Sequence, residues 1–306
     1  MGRRNKTGVP PTLVLADKPA GLGSAALVAR LRKEMDGART GHAGTLDRFA
    51  TGLMVLLAGP ATALADVLLH QDKDYLATFV FGRATDTHDP EGETIANQPD
   101  EVARNYIEEN RTRIEAALAA LLDIREQIPP AYSALKTAGR RYSDLARSGT
   151  AVLPPARPAR VYELAVTAFE PEQLRVEARV SVSSGTYIRA LARDLGAALD
   201  FPVHLGALRR VRIGAVSLEN SSIWRPDSGD GAGPPLLDPR RALPEWPVLG
   251  LNQDDAGELR FGRKPRLDLD LPPEKDFFLE GPDGMLLAWA RAGGGRSYSY
   301  RRVFSV

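Results

Sequence analysis

Apolar residues along this chain form short runs and alternations that predict strands, separated by stretches with helical spacing. The run at 13–16 predicts a buried strand, and residues 75–82 carry the β-branched and aromatic content of another. Residues 161–169 and the alternation over 174–180 predict two further strands. Apolar spacing of three and four residues predicts helices over 24–37, 100–128 and 187–199, with Ser24 and Asp100 as N-caps.

These elements interleave without the regular strand–helix–strand alternation of a doubly wound fold. They predict an α+β protein with a mixed, largely antiparallel sheet flanked by helices. We expect a basic, disordered N-terminus over 1–11 and a main domain over 12–224. A linker rich in Pro, Gly and Asp follows over 225–247, and a small β-rich module occupies 248–306.

Composition narrows the function classes. The absence of cysteine excludes disulfides and cysteine-based zinc sites, and no motif suggests a metal. We find no secretory h-region and no apolar run long enough to span a bilayer, so we expect a cytoplasmic protein. The net charge of +1 is no sign of a nucleic-acid partner by itself, but basic residues cluster at 3–6, 136–147 and 209–212.

The segment Gly41–Gly52 is the strongest candidate for chemistry. His42 and Asp47 stand among small residues, and glycines at 41 and 44 allow positive φ and close approach of another molecule. On the segment alone, a turn in which Asp47 caps a following helix is the favoured interpretation.

Eight ordered segments decide between these interpretations. They are Asp17–Gly21, Gly41–Asp47, Lys73–Tyr75, Thr85–Thr87 with Gly92, Pro130–Lys136, Arg157-Pro158 with Val161-Tyr162, Gly185–Arg189, and Leu208–Arg210. Together they resemble the bacterial tRNA pseudouridine synthase B family over about residues 12–217. The resemblance implies a pseudouridine synthase fold and an enzyme, an isomerase that converts uridine 55 in the T-loop of tRNA to pseudouridine. It implies base flipping and no cofactor.

The resemblance also implies roles for named residues. Asp47 is the catalytic nucleophile, Arg189 pairs with it, and Tyr75 stacks on the flipped uracil and moves the proton from C5. Whether Asp47 attacks the ribose or the base, or assists a glycal route, stays open. Four residues match the substrate pocket: His42, Lys18, Tyr187 and Leu208.

Partners follow from the same resemblance. Phosphates of the tRNA T-arm are expected to contact basic residues of the two internal clusters: Lys136, Arg140, Arg141, Arg147, Arg209 and Arg210. Residues 248–306 resemble a PUA domain, an RNA-binding module that would reach toward the acceptor end. We expect a monomer.

Three positions depart from the family pattern. Arg48 replaces a usual proline, Gly23 a threonine or serine, and Ala63 a lysine. Two alternative functions remain: an RNA-guided pseudouridine synthase subunit like the dyskerin relatives, and a tRNA-folding chaperone that binds the T-arm.

Overall fold

One large β-sheet runs through most of this computed structural model, which describes residues 8–132, 136–137, 140–142, 153–219, 222–227, 229 and 233–304. The strands are β1 (Thr12–Lys18), β2 (Thr40–His42), β3 (Thr51–Ala58), β4 (Lys73–Phe81), β5 (Arg83–Thr85), β6 (Thr94–Asn97), β7 (Glu126–Gln127), β8 (Lys136–Thr137), β9 (Arg140–Arg141), β10 (Arg157–Pro158), β11 (Val161–Glu170), β12 (Arg175–Val182), β13 (Val203–Ile213), β14 (Val216–Ser217), β15 (Ile223–Trp224), β16 (Val248–Gly250), β17 (Asp276–Glu280), β18 (Leu286–Gly294) and β19 (Ser297–Val303). The α-helices are α1 (Ser24–Glu34), α2 (Ala65–Leu69), α3 (Asp100–Glu109), α4 (Arg111–Ala120), α5 (Ile188–Leu199) and α6 (Gln253–Arg260). Short 3-10 helices span Gly59–Leu64, Leu121–Asp123, Pro171–Gln173 and Pro239–Ala242.

The large sheet has the strand order β11-β12-β4-β13-β3-β1-β15, with β2 added to β3 and β14 to β13. Most neighbouring strands are antiparallel, but β13 pairs with β3 and β1 pairs with β15 in parallel. The predicted α+β class with a mixed, largely antiparallel sheet is therefore confirmed.

Residues 13–16 of β1 and 53–58 of β3 are all apolar because the sheet is covered on both faces at this point. Val14 and Met54 pack into the core beneath the helices, whereas Leu13 and Leu53 pack into a second cluster. That second cluster includes residues of the C-terminal module, so the middle of the sheet lies between two hydrophobic layers.

Two predicted helix starts shift by one residue. Ser24 and Asp100 are the first residues of their helices, and Gly23 and Pro99 occupy the N-cap positions without a side-chain cap. The predicted helix over 100–128 divides at Asn110, whose side-chain amide donates to the Tyr106 carbonyl at 3.0 Å. Side-chain bonds of this kind compete with the helical pattern of the backbone. Within the described ranges, no helix has the length and apolar character needed to cross a membrane.

The C-terminal module packs firmly against the sheet. Its strands pair in the order β16-β17-β18-β19, and the rings of Trp246, Phe278 and Trp289 meet at centroid distances of 5.0 and 5.4 Å. The described part of the predicted linker joins this packing, because Leu237 exchanges two backbone hydrogen bonds of 2.8 Å with Leu13 of β1. Arg240 then forms ion pairs with Asp238 and with Glu280 of β17.

Candidate active site

The loop between β2 and β3 presents Asp47 beside the first turn of α5. The Asp47 side chain is 37% exposed, whereas the Arg189 side chain is 5% exposed. Arg189 Nε lies 2.9 Å from Oδ2 of Asp47, and Nη2 donates to Oδ1 at 3.3 Å. The structure thus brings together the predicted carboxylate and its predicted cation, 142 residues apart in sequence.

A second carboxylate, Asp89, holds the other side of the same guanidinium. Its Oδ2 lies 3.3 Å from Nη1 of Arg189, and its side chain is 6% exposed. Thr87 Oγ1 and the Glu91 N–H donate to Asp89 Oδ1 at 2.6 and 3.0 Å. Asp89 was not predicted from the sequence. It lies two residues after the Thr85–Thr87 motif, and that position could have indicated it.

Backbone carbonyls complete the environment of Arg189. Nη1 donates to the Thr87 carbonyl at 3.2 Å, and Nη2 donates to the Tyr132 carbonyl at 2.9 Å. Because a guanidinium offers its donors in a rigid plane, these partners fix its orientation. The orientation of the Asp47 carboxylate is fixed with it.

Lys18 supports the loop from β1. Its side chain is completely buried, and Nζ donates to the carbonyls of Pro19, Leu22 and Arg48 at 2.9, 2.8 and 3.2 Å. Burial lowers the pKa of Lys18 to about 8, an effect opposed by the nearby negative charge of Asp47. The Arg48 carbonyl also accepts from the Gly21 N–H at 2.7 Å, so the loop is fastened at this residue without the usual proline.

Two more buried side chains hold the loop backbone. Ser24 Oγ donates to the Leu46 carbonyl at 2.8 Å and accepts from the Leu46 N–H at 2.9 Å. Arg210 donates to the carbonyls of Leu53, Gly44 and Thr45 at 2.8, 3.2 and 3.3 Å. The residues next to Asp47 are thus fixed by groups from α1 and β13.

The assignment of Arg210 to phosphate contact is wrong. Arg210 is 1% exposed and points into the protein, because its three nitrogens donate to the carbonyls of Gly44 and Thr45 in the loop and of Leu53 in β3. Arg209 points the other way, with a 40% exposed side chain, and both of its terminal nitrogens donate to Asp17. Only the backbones of Lys136, Arg140 and Arg141 are described, as the β8–β9 pair, and Arg147 lies outside the described residues.

The glycines of the loop also differ from expectation. Gly44 has φ +115°, but Gly41 has no positive φ and belongs to β2. Gly52, with φ +106°, is where close approach occurs, since a Cβ there would lie 2.2 Å from the Arg210 carbonyl oxygen. The neighbour that comes close is the protein's own strand β13.

The remaining predicted pocket residues lie on β2, β4 and β13 and at the start of α5. Tyr75 on β4 and Leu208 on β13 are each 7% exposed and share a hydrophobic core with Leu46. Tyr187 is the N-cap residue of α5. His42 ends β2 with its Nδ1 buried and without a partner among the described residues, and burial followed by the charge of Arg210 lowers its pKa.

The remaining departures from the family pattern are local. Gly23 is the N-cap of α1, so its missing hydroxyl is a missing helix cap. Ala63 lies in the 3-10 helix Gly59–Leu64 and is half-buried.

Comparison with solved structures shows that the fold is shared with a known protein. The chain resembles a chain of a Cbf5-Nop10-Gar1 complex with a TM-score of 0.66 and 19% identity, covering 99% of this chain and 91% of that one. A likeness at this identity concerns the fold alone.

Sequence comparison then identifies the family. Residues 32–188 match the N-terminal domain of the TruB family pseudouridylate synthases. The tRNA pseudouridine synthase B of Mycobacterium avium (strain 104) is 42% identical over 257 residues, or 83% of this chain and 76% of the relative. That of Thermobifida fusca (strain YX) is 38% identical over 291 residues, 93% and 96% of the two chains. The chain belongs to the TruB family of pseudouridylate synthases.

Proposed function

We propose that this enzyme converts uridine 55 in the T-loop of tRNA to pseudouridine, with Asp47 as the nucleophile and without a cofactor. One observation carries the proposal: the accessible carboxylate of Asp47 lies within 3.3 Å of two nitrogens of a buried arginine. Relatives named tRNA pseudouridine synthase B match most of the chain.

The reaction needs a group that bonds temporarily and leaves again, which a carboxylate can do. The bond from ribose C1′ to N1 breaks, and a bond from C1′ to C5 replaces it. The proton leaves C5 and N1 gains one, so no atoms or electrons are added from outside. Asp47 bonds transiently to the ribose or to the base, or assists a glycal route.

Arg189 and Asp89 act as the rigid support of this carboxylate. Arg189 balances the charge of Asp47 where the uncharged uracil displaces water, and Asp89 holds the guanidinium from its other side at 3.3 Å. The nucleophile is therefore oriented before substrate arrives, which lowers the cost of reaching a reactive geometry.

The target uridine must be extruded from the folded T-loop before it can meet Asp47. We assign the stacking of the extruded base, and transfer of its C5 proton, to Tyr75, with Tyr187 and Leu208 lining the pocket. Because Tyr75 is 7% exposed, the base has to enter the protein rather than rest on its surface. His42 takes the place that the base leaves in the RNA, and Lys18 supports the loop.

We assign binding of the T-arm to basic residues. Arg209 is half-exposed and supplies one such contact, while the side chains of Lys136, Arg140, Arg141 and Arg147 are assigned to the same task from sequence. The C-terminal module extends the RNA surface toward the acceptor end. The enzyme works as a monomer in the cytoplasm and needs no guide RNA.

The test is to map pseudouridine in an unmodified tRNA transcript incubated with the purified protein. Wild type should modify the T-loop uridine alone, and Asp47→Asn should leave it unmodified. Asp66→Asn is the matched control, since the Asp66 side chain is 84% exposed and lies on α2.

Two results would contradict the proposal: modification outside the T-loop, or turnover retained by Asp47→Asn. A requirement for an added guide RNA would favour the RNA-guided alternative. Annealing of tRNA by Asp47→Asn at the wild-type rate would assign a chaperone activity to the same body, separate from its chemistry.

A further inference from the structure

Helix α5 carries Arg189 on its first turn, yet the side chain of its N-cap residue makes no capping hydrogen bond. The first N–H groups of a helix have no partner within the helix and must find one elsewhere. The Tyr187 N–H donates to Oε1 of Gln127 at 2.9 Å, across 60 residues of sequence. A side chain from β7 therefore fixes the start of α5.

This contact belongs to a seam between α5 and the segment 127–132. Arg193 Nη1 donates to the Ile128 carbonyl at 3.0 Å, and Arg189 Nη2 donates to the Tyr132 carbonyl at 2.9 Å. Both carbonyls belong to the backbone and survive any substitution. Gln127 contributes a side-chain acceptor, so a single mutation can loosen the seam there.

The orientation of the Gln127 amide is determined. Only its oxygen can accept from an N–H, so Oε1 must face Tyr187. The Nε2 group is then buried without a partner among the described residues, and the whole residue is 5% exposed. A buried donor without a partner costs free energy. The bond from the Tyr187 N–H to Oε1 is therefore kept although it leaves Nε2 unpaired.

We propose that Gln127 is a positioning residue for pseudouridine formation, holding the start of α5 so that Arg189 keeps its alignment with Asp47. The inference rests on the proposed function. Gln127 acts through the Tyr187 backbone and touches neither Asp47 nor the substrate. Its loss should therefore affect turnover rather than RNA affinity.

The experiment compares Gln127→Met with Gln127→Glu in steady-state assays on tRNA transcript. Methionine has a similar size but no comparable acceptor, and we expect kcat to fall about tenfold or more with KM within about twofold, since small misplacements cost this much. Glutamate keeps an acceptor at the same reach in either protonation state and replaces the unpaired Nε2. We expect it to retain at least about half of the wild-type kcat, a conservative rescue.

Two further variants make the result decisive. Gln127→Asn, which is polar but too short to reach Tyr187, should lose kcat as Gln127→Met does and tests the idea if the latter does not fold. Gln173→Met is the matched control on an exposed site and should behave as wild type.

The proposal is overturned if Gln127→Met and Gln127→Asn keep wild-type kcat, if their loss lies in KM alone, or if Gln127→Glu is no better than they are. Failure of the proposed function looks different, because wild-type protein would then form no pseudouridine in the T-loop.

Discussion

The loop bearing Asp47 is held by two buried arginines from different regions, and they hold different parts of it. Arg189, from the start of α5, meets two carboxylates and thereby fixes a side chain. Arg210, from β13, meets three backbone carbonyls and thereby fixes the course of the chain. Burial alone does not distinguish these two arginines, but their partners do.

Of the two arginines, Arg189 should have the larger effect on turnover when it is replaced by alanine. Loss of the guanidinium leaves Asp47 without its orienting partner, and kcat should fall about a hundredfold or more, as when a key electrostatic group is removed. Pseudouridine formation under saturating tRNA measures it.

Stability separates this effect from unfolding. Asp89 would be left buried without its countercharge, which costs about 3 kcal/mol of unfolding free energy. Adding Asp89→Asn to Arg189→Ala should restore much of that stability and none of the turnover. Near-normal turnover in Arg189→Ala would contradict the role given to Arg189.

Arg210→Met is expected to affect stability more than turnover. The carbonyls of Gly44, Thr45 and Leu53 lose their donor, so the unfolding free energy should fall by about 2–4 kcal/mol. Molecules that remain folded should keep more turnover than Arg189→Ala, because the pair of Asp47 and Arg189 is intact. Chemical denaturation and active-site titration on the same preparation give the two quantities.

Arg209→Met is the control for Arg210→Met, since the side chain of Arg209 faces outward. It should cost less stability than Arg210→Met, because Asp17, with a 15% exposed side chain, still has Arg225 4.0 Å away. A larger loss of stability in Arg209→Met than in Arg210→Met would reverse the comparison.

The smallest effect concerns pH and a third cation that holds the same loop, Lys18 of β1. Lys18 has a pKa lowered to about 8, so it loses its proton between pH 7 and 9. The neutral amine has one donor fewer for the carbonyls of Pro19, Leu22 and Arg48, and we expect turnover to decline about tenfold over this range.

Lys18 changes stability with pH in the opposite direction to turnover. The folded-state pKa lies below the value of 10.5 for an exposed lysine, so the buried ammonium costs stability below pH 8 and this cost is relieved between pH 8 and 10.5. A decline in turnover over pH 7–9 is therefore not unfolding caused by Lys18.

Lys73 provides the control, because burial also lowers its pKa to about 8 while its Nζ donates to carbonyls at the end of α2. Lys18→Met should flatten the pH profile and Lys73→Met should not. The opposite pattern would place the titrating group elsewhere.

The ordered motifs predicted the pairing of Asp47 with Arg189, but they did not predict that Arg210 is buried while Arg209 faces outward. Arg210 lies two positions after Leu208 on β13, and residues two apart share a face of a strand. Leu208 was expected to line the substrate pocket, so Arg210 should have been expected on that face of the strand too. Register shifts on both sides of this segment, at 205–207 and 210–212, made the whole strand harder to interpret.

Other features of the structure could not be predicted from local sequence patterns. Composition predicted a linker over 225–247. Three apolar residues within it could have indicated that it packs against the sheet: Leu237, Leu243 and Trp246. The contact of Gln127 with Tyr187 joins positions 60 residues apart, and no spacing rule relates them.

The layer shared by the sheet and the C-terminal module has a consequence for how the protein melts. Because Leu13 and Leu53 pack in one cluster with Trp246 and Phe278, separating the halves would expose the underside of the strands that frame Asp47. The two halves should unfold in one cooperative transition, and a fragment ending before the module would be a damaged enzyme rather than a minimal one.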